Sequence, residues 1–290
     1  HFWGHEFAVN SVNTTGSFRW TTNANISFNR NKVLELADGI DRVYGDYHIT
    51  QVGQPFGQFY GLVKEGNYAN AEDLANSPII PGRSTVGSIK LKDVNGDGVI
   101  TYGGDKDDRA IIGNPFPDFT YGLVNNFTYK NFDASVAISG SQGNELYMRH
   151  LYSTANLDGV FNMVAKASDR FKSPEDPGEG IFGTTVGGGN VTGVERDWNN
   201  SNFVWDASYL TIRNITIGYT FTKLPKTIKS LRLYASGQNM WVFTDYWGGS
   251  NPEVSMQNNG AGDGGNLSQG VDLSAYPVPR TITFGANINF

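Results

Sequence analysis

Arg280-Thr281-Ile282-Thr283-Phe284-Gly285-Ala286-Asn287-Ile288-Asn289-Phe290 closes the chain. Side chains alternate across a β-strand, so Ile282, Phe284, Ala286, Ile288 and Phe290 fall on one face, with Thr281, Thr283, Gly285, Asn287 and Asn289 on the other. One face is apolar; the other is polar but uncharged. The same period recurs upstream. Leu231, Leu233, Ala235, Gly237, Trp241 and Phe243 oppose Arg232, Tyr234, Ser236 and Gln238. Phe132, Ala134, Val136 and Ile138 oppose Asp133, Ser135 and Ser139, and Phe119, Tyr121, Leu123, Phe127 and Tyr129 oppose Thr120, Asn126 and Thr128. Near the start, Phe18, Trp20, Ala24, Ile26 and Phe28 oppose Arg19, Thr21, Asn23 and Asn25. Residues 207–221 keep the pattern but slip parity near Arg213-Asn214, which predicts a bulge. Residues 2–12 also read as strand, with poorly separated faces.

Strands are thus expected at about 2–12, 18–30, 117–129, 132–141, 207–221, 230–243 and 280–290. Their connections are sorted by length. Asn13–Ser17, Lys130-Asn131 and Thr222–Lys229 are short; 31–116, 142–206 and 243–279 are long. In an up-and-down meander, strict alternation of short and long puts every tight turn at one end and every long loop at the other. A soluble sandwich has no reason to sort loops this way, whereas an outer-membrane barrel has short periplasmic turns and long extracellular loops. Aromatic residues such as Tyr129, Phe132, Phe221, Trp241, Phe243 and Phe290 cluster at strand ends, as girdle residues do. An odd meander leaves two edges open, and open edges are not tolerated in lipid. The seven strands are therefore expected to pair with remaining barrel strands outside this sequence.

Composition agrees. The 290 residues include 36 glycines and 18 phenylalanines, with 13% aromatic and only 17% charged residues, a balance that favours sheet and turns over helix. A net charge of −6 leaves no basic excess to neutralise phosphates, so no nucleic-acid partner is expected. Zero cysteines exclude disulfide scaffolds, thiol catalysis and thiolate metal sites. No run approaches the roughly 18 consecutive apolar residues of a membrane helix. The start, His1-Phe2-Trp3-Gly4, already reads as strand and carries no signal peptide, as in a chain cut from a longer precursor.

The sharpest motif lies in the first long loop: Asp93-Val94-Asn95-Gly96-Asp97-Gly98-Val99-Ile100-Thr101. Its spacing matches the opening of an EF-hand-type loop. A hard cation wants several oxygens, and Asp93, Asn95 and Asp97 offer side-chain oxygens while Val99 offers its carbonyl. A structural Ca²⁺ is the expectation. The twelfth position, where a bidentate Glu belongs, is Gly104. Asp108 is the first choice to close the site and Asp105 the second. The alternative is a solvated Asp/Asn/Gly turn.

No catalytic constellation stands out, and an enzyme is not expected. His1, His5, His48 and His150 show no metal-ligand spacing. Gly187-Gly188-Gly189 lacks the context of a phosphate loop and reads as flexible. In the last long loop Trp241, Tyr246 and Trp247, beside Asn251-Pro252-Glu253, are candidate contacts for a sugar or peptide; the competing reading is that they pack the loop or form the outer girdle.

Four stretches together resemble the C-terminal part of the SusC/RagA-type TonB-dependent transporters of Bacteroidetes. They are Phe18–Asn23 with Asn29–Val33; Val52–Pro55 with Tyr60-Gly61; Asp93–Gly98 with Asp108-Arg109 and Ile112–Phe119; and Tyr209–Tyr219 with Gly237–Asn239. The segment before Asp108 is longer than the family's usual loop. The resemblance implies an all-β transmembrane barrel of about 22 antiparallel strands, filled by a plug. The plug, the TonB-contacting segment and the N-terminal domain would precede this chain. It also implies a Gram-negative outer-membrane location and a SusD-like lipoprotein closing over the extracellular loops. Oligosaccharides or peptides would be imported with energy passed from TonB. Phe290, with Ile288 and Phe284 on its face, then reads as an outer-membrane assembly signal as well as a lipid-facing surface. The rival reading is a secreted, calcium-stabilised all-β carbohydrate-binding or adhesion module.

Overall fold

The computed structural model describes residues 1–155, 162–184, 198–225, 227–254 and 267–290. The Gly187–Gly189 stretch lies outside the described residues. Strand β1 (Phe2–Thr15) turns tightly into β2 (Phe18–Asn31). The first long connection carries β3 (Arg42–Tyr44), β4 (His48–Gln51), β5 (Gln58–Gly61), β6 (Lys64–Asn67), β7 (Ile89–Leu91) and β8 (Ala110–Gly113). Then come β9 (Phe119–Tyr129) and β10 (Phe132–Gln142), joined at Lys130-Asn131, where Lys130 takes a positive φ of 53°. The second long connection carries β11 (Glu145–Met148) and β12 (Val204–Asp206), and leads to β13 (Tyr209–Phe221) and β14 (Ser230–Thr244). The third holds β15 (Val271–Asp272) before β16 (Thr281–Asn289).

Seven long strands form one antiparallel sheet in the order β1-β2-β9-β10-β13-β14-β16. Every neighbour in that order follows its predecessor along the chain, so the sheet is a meander. The stretches that alternate in the sequence are its strands. β1 is longer than its blurred faces predicted: pairing runs on through Thr15↔Arg19, past a register shift between Val12 and Thr14, so the turn shrinks to Gly16-Ser17. The parity slip at Arg213 is a bulge. Opposite β10, Asn214 and Ile212 pair with the consecutive residues Ala137 and Ile138, leaving Arg213 as the extra residue. Opposite β14, Gln238 and Trp241 are the paired residues, so Asn239 and Met240 are skipped. Asn239 there has a φ of 51°, a left-handed conformation that asparagine tolerates better than most residues.

The two faces of this sheet differ in kind. On one, Phe7, Phe18, Trp20, Phe132, Ile217, Leu233, Phe284 and Ile288 are all more than a third exposed. An exposed apolar face of this kind marks a surface that meets a partner or a membrane. On the other face, polar groups pair across strands. The Arg232 guanidinium forks onto the Asp133 carboxylate, with Nε to Oδ1 at 2.9 Å, spanning β13 at Gly218. A Cβ at Gly218 would lie 2.6 Å from Arg232 Nη2 and 2.7 Å from Asp133 Oδ1, so glycine makes the bridge possible. No helix among the described residues is long and apolar enough to cross a membrane, which leaves crossing by strands open.

The molecule's buried core is not in that sheet. It sits in a layer built by the three long connections, all at one end of the meander. Phe59, Leu146, Met148, Leu151, Phe203, Tyr246 and Val271 form its larger cluster, drawn from all three connections. A second cluster gathers Leu62, Ile80, Ile89, Leu91 and Ile100 within the first. β11 pairs with β12 of its own connection and in parallel with β15 of the third, which stitches the two together. The long connections are therefore a packed cap with small sheets of their own.

Candidate functional site

Asp93, Asn95 and Asp97 form a self-bracing turn. Asp93 accepts from Gly96 N–H at 2.6 Å and Gly98 N–H at 2.7 Å; Asn95 Oδ1 accepts from Asp97 N–H, and Asp97 Oδ1 from Val99 N–H. Gly96 and Gly98 both take positive φ, of 78° and 85°, which a side chain would strain. The second Asp97 oxygen meets Lys106 Nζ at 2.8 Å, and this hydrogen bond, with the lysine's charge, holds the Asp97 carboxyl below the usual carboxylate range. Ile100 anchors the turn in the smaller core cluster.

Asp108 has a different place from the one expected. It is fully buried, and its carboxylate takes three backbone N–H bonds: Val94 and Asn95 on Oδ1, Thr101 on Oδ2. It ties the two ends of the turn together from within. Asp105 is exposed. Among the described residues, no three His, Cys, Asp or Glu side chains converge as a metal cage. A hard cation at this turn would have to draw on the oxygens of Asp93, Asn95 and Asp97 and the Val99 carbonyl.

The three aromatic candidates of the last loop do not share a surface. Trp241 lies on β14 and is 45% exposed, in line with the apolar residues Leu233 and Phe243. Tyr246 is in the cap core, its hydroxyl donating to the buried Asp272 carboxylate at 2.7 Å; burial pushes its phenol far up, and Asp272 adds to that. Trp247 packs edge-to-face on Phe182 and Trp205. Phe284, Ile288 and Phe290 do share the apolar face of the last strand, 80%, 49% and 75% exposed.

Sequence reasoning missed the polar joints of the cap. His150 sits between connections, with Nε2 2.7 Å from Gly248 O and Nδ1 3.3 Å from Asp272 O. Arg109 stacks over the rings of Tyr44, Tyr60 and Tyr102 and pairs with Asp107 at 2.9 Å. Glu253 reaches back from the last loop onto the sheet, where Thr211 and Arg213 of β13 hold its carboxylate. The parity slip at Arg213 was the one signal for this last contact; the His150 contacts and the stacking of Arg109 on Tyr44 and Tyr60 join residues too distant in sequence to have left a local pattern.

No family model matches the chain. The TonB-dependent receptor P3 of Formosa agariphila is 34% identical over 300 residues, covering 99% of this chain and 28% of that protein. The TonB-dependent receptor SusC of Bacteroides thetaiotaomicron is 28% identical over 311 residues, covering 99% of this chain and 26% of its own length. Among solved structures, the RagAB peptide transporter matches with a TM-score of 0.74 at 16% identity, over 100% of this chain and 29% of that one. The chain thus spans less than a third of the length of the relatives it matches.

Proposed function

The chain belongs to the SusC/RagA-type TonB-dependent receptors, whose C-terminal part it matches, and from that premise we propose that the whole protein imports oligosaccharides or peptides across the outer membrane. TonB-dependent receptors are non-enzymatic outer-membrane β-barrels, so the exposed apolar face of the meander faces lipid and its polar face the lumen. The observation that carries the reading is the pairing of this two-faced sheet with a packed cap at one end only. The cap would be the extracellular rim on which a SusD-like lipoprotein closes. TonB would act through parts of the protein outside this segment. β1 and β16 each have one edge with no partner strand among the described residues, and the remaining barrel strands would supply those partners around a plug.

The test is uptake. Cells lacking the full-length protein should stop accumulating its oligosaccharide or peptide substrate, and should stop growing on it. The rival, a secreted soluble module, makes the opposite physical forecast: residues 1–290 would then purify as a stable monomer in water without detergent. That result would sink the transporter reading.

A structural Ca²⁺ in the Asp93 turn belongs to the same proposal, with Asp93, Asn95, Asp97 and the Val99 carbonyl as ligands. What supports it is the oxygen donor set on a turn already shaped by two positive-φ glycines. Calcium would have to displace the Lys106 ammonium from Asp97, and Asp105, being exposed, is freer than Asp108 to complete the shell. Calorimetric titration of the full-length protein should show binding that is strengthened by Lys106→Ala and abolished by Asp93→Ala with Asp97→Ala. A flat titration of the wild type removes calcium from the account.

A further inference from the structure

Two bulges meet on the polar face of the sheet, on adjacent strands. Bulges re-aim side chains. The one on β13 presents Arg213, whose Nε donates to Ser139 Oγ at 2.6 Å on β10; the one on β14 presents Asn239 in its left-handed conformation. Both residues line a cavity of about 200 Å³ beneath the last loop. Thr211, Asn251, Glu253 and Arg280 line it as well.

The charges of this cavity do not balance. Glu253 is held in place by its own Asx turn, with its N–H on Asn251 Oδ1 at 2.9 Å, and its carboxylate is taken by Arg213 and Thr211. That pair is neutral as a unit. Arg280, at the entry to β16, is the third charged residue of the lining, and it makes no hydrogen bond or ion pair among the described residues. One positive charge is left over, beside the Asn239 amide, whose Nδ2 donates to Pro279 O at 3.4 Å and keeps a second N–H. A guanidinium's planar fork of donors matches a carboxylate.

We propose that this lumen-side cavity binds one carboxylate group of the transported molecule, with Arg280 as its counter-ion and Asn239 as the adjoining donor. The neutral Arg213–Glu253 pair forms the wall: it fixes the loop over the cavity and cancels the second arginine, so the site takes a monoanion rather than a phosphate dianion. The carboxylate has two chemical sources, a uronic acid or a peptide C terminus. The inference rests on the import reading and narrows its substrate class.

The experiment uses the full-length transporter in detergent with four probes: a trisaccharide ending in a hexuronate, its neutral hexose counterpart, a tripeptide with a free C terminus, and the same tripeptide amidated. The expected result is that one acidic probe binds at least tenfold more tightly than its neutral partner. Arg280→Gln should erase that difference, and Arg280→Lys should restore part of it. Asn239→Gly keeps the backbone conformation and should weaken the acidic probe alone. An acid preference in the sugar pair assigns a uronate, and in the peptide pair a C-terminal carboxylate. If neutral and acidic partners bind alike, or if Arg280→Gln keeps the preference, the carboxylate site is wrong while import stands. If none of the four binds, the carboxylate site is wrong, and import is decided by the uptake test.

Discussion

At the scale of single residues, the Asp93 turn shows how far a spacing pattern can be read. Asp, Asn, Asp and Gly in that order say that side-chain oxygens will point into a tight turn, and they do. They do not say which later carboxylate closes it, because that depends on which one the fold buries. Asp108, fully buried, answers three backbone N–H groups. Leaving a buried donor unsatisfied costs about 1–3 kcal/mol. Asp108→Ala should therefore open residues 93–101 locally, visible as faster amide exchange there, with the strands of the large sheet unchanged. Unchanged exchange across the turn would show that Asp108 is not its tie. A second residue-scale case is Gly218, invisible to pattern reading as more than a weak strand residue. Gly218→Ala should push Arg232 off Asp133 and lower stability by up to about 1 kcal/mol, the worth of a part-exposed ion pair, because the atoms a Cβ would meet are the ends of flexible side chains; urea unfolding of the folded barrel reads it.

At the scale of elements, the seven long strands were legible and the cap was not, for one physical reason. A strand with lipid on one face and the lumen on the other writes a two-residue period into its own sequence. Phe132-Asp133-Ala134-Ser135-Val136 carries its environment on its face. The cap's short strands have no such uniform surroundings. His48-Ile49-Thr50 is buried on both sides, and its partners come from β3 and β5 and from Gln269 far along the chain. Nothing local announces that. His48 is the element-scale test. Burial drives its pKa down from 6.5 to about 4, opposed only by the bond of Nε2 to Gln269 O, while Nδ1 has no partner among the described residues. The folded cap thus favours neutral imidazole more strongly than the unfolded chain does. That stability is fully present above pH 6.5 and is lost as pH falls from there toward 4, to the order of 3 kcal/mol. Amide protection around β4 and β5 should drop between pH 7 and 4.5. His48→Gln keeps a donor for Gln269 O and removes the titration, so its protection should be flat over that range. A wild type as flat as the variant would mean His48 is not so buried.

At the scale of the whole molecule, the same alternation that makes the strands readable decides what the protein can stand in. The apolar groups of the meander point outward, whereas the cap folds around a core of its own. The sheet thus depends on its solvent being lipid, and neighbouring residues of one strand must answer to opposite solvents. Phe284 and Thr283 make the comparison within one backbone environment: Phe284 stands 80% exposed on the outer face opposite Ala235, and Thr283 lies on the inner face opposite Ser236. A lysine on the lipid face near the bilayer midplane costs about 2–4 kcal/mol, while substitutions on the lumen face mainly tune what passes. Phe284→Lys in the full-length protein should therefore deplete the folded, heat-modifiable form in outer membranes, and Thr283→Lys should leave it near the wild-type level. In a water-soluble sandwich the ranking would invert, because an exposed Phe284 replaced by lysine would cost nothing and an inward lysine at 283 would enter the core. The order of the two variants thus identifies the solvent of each face without reference to any relative.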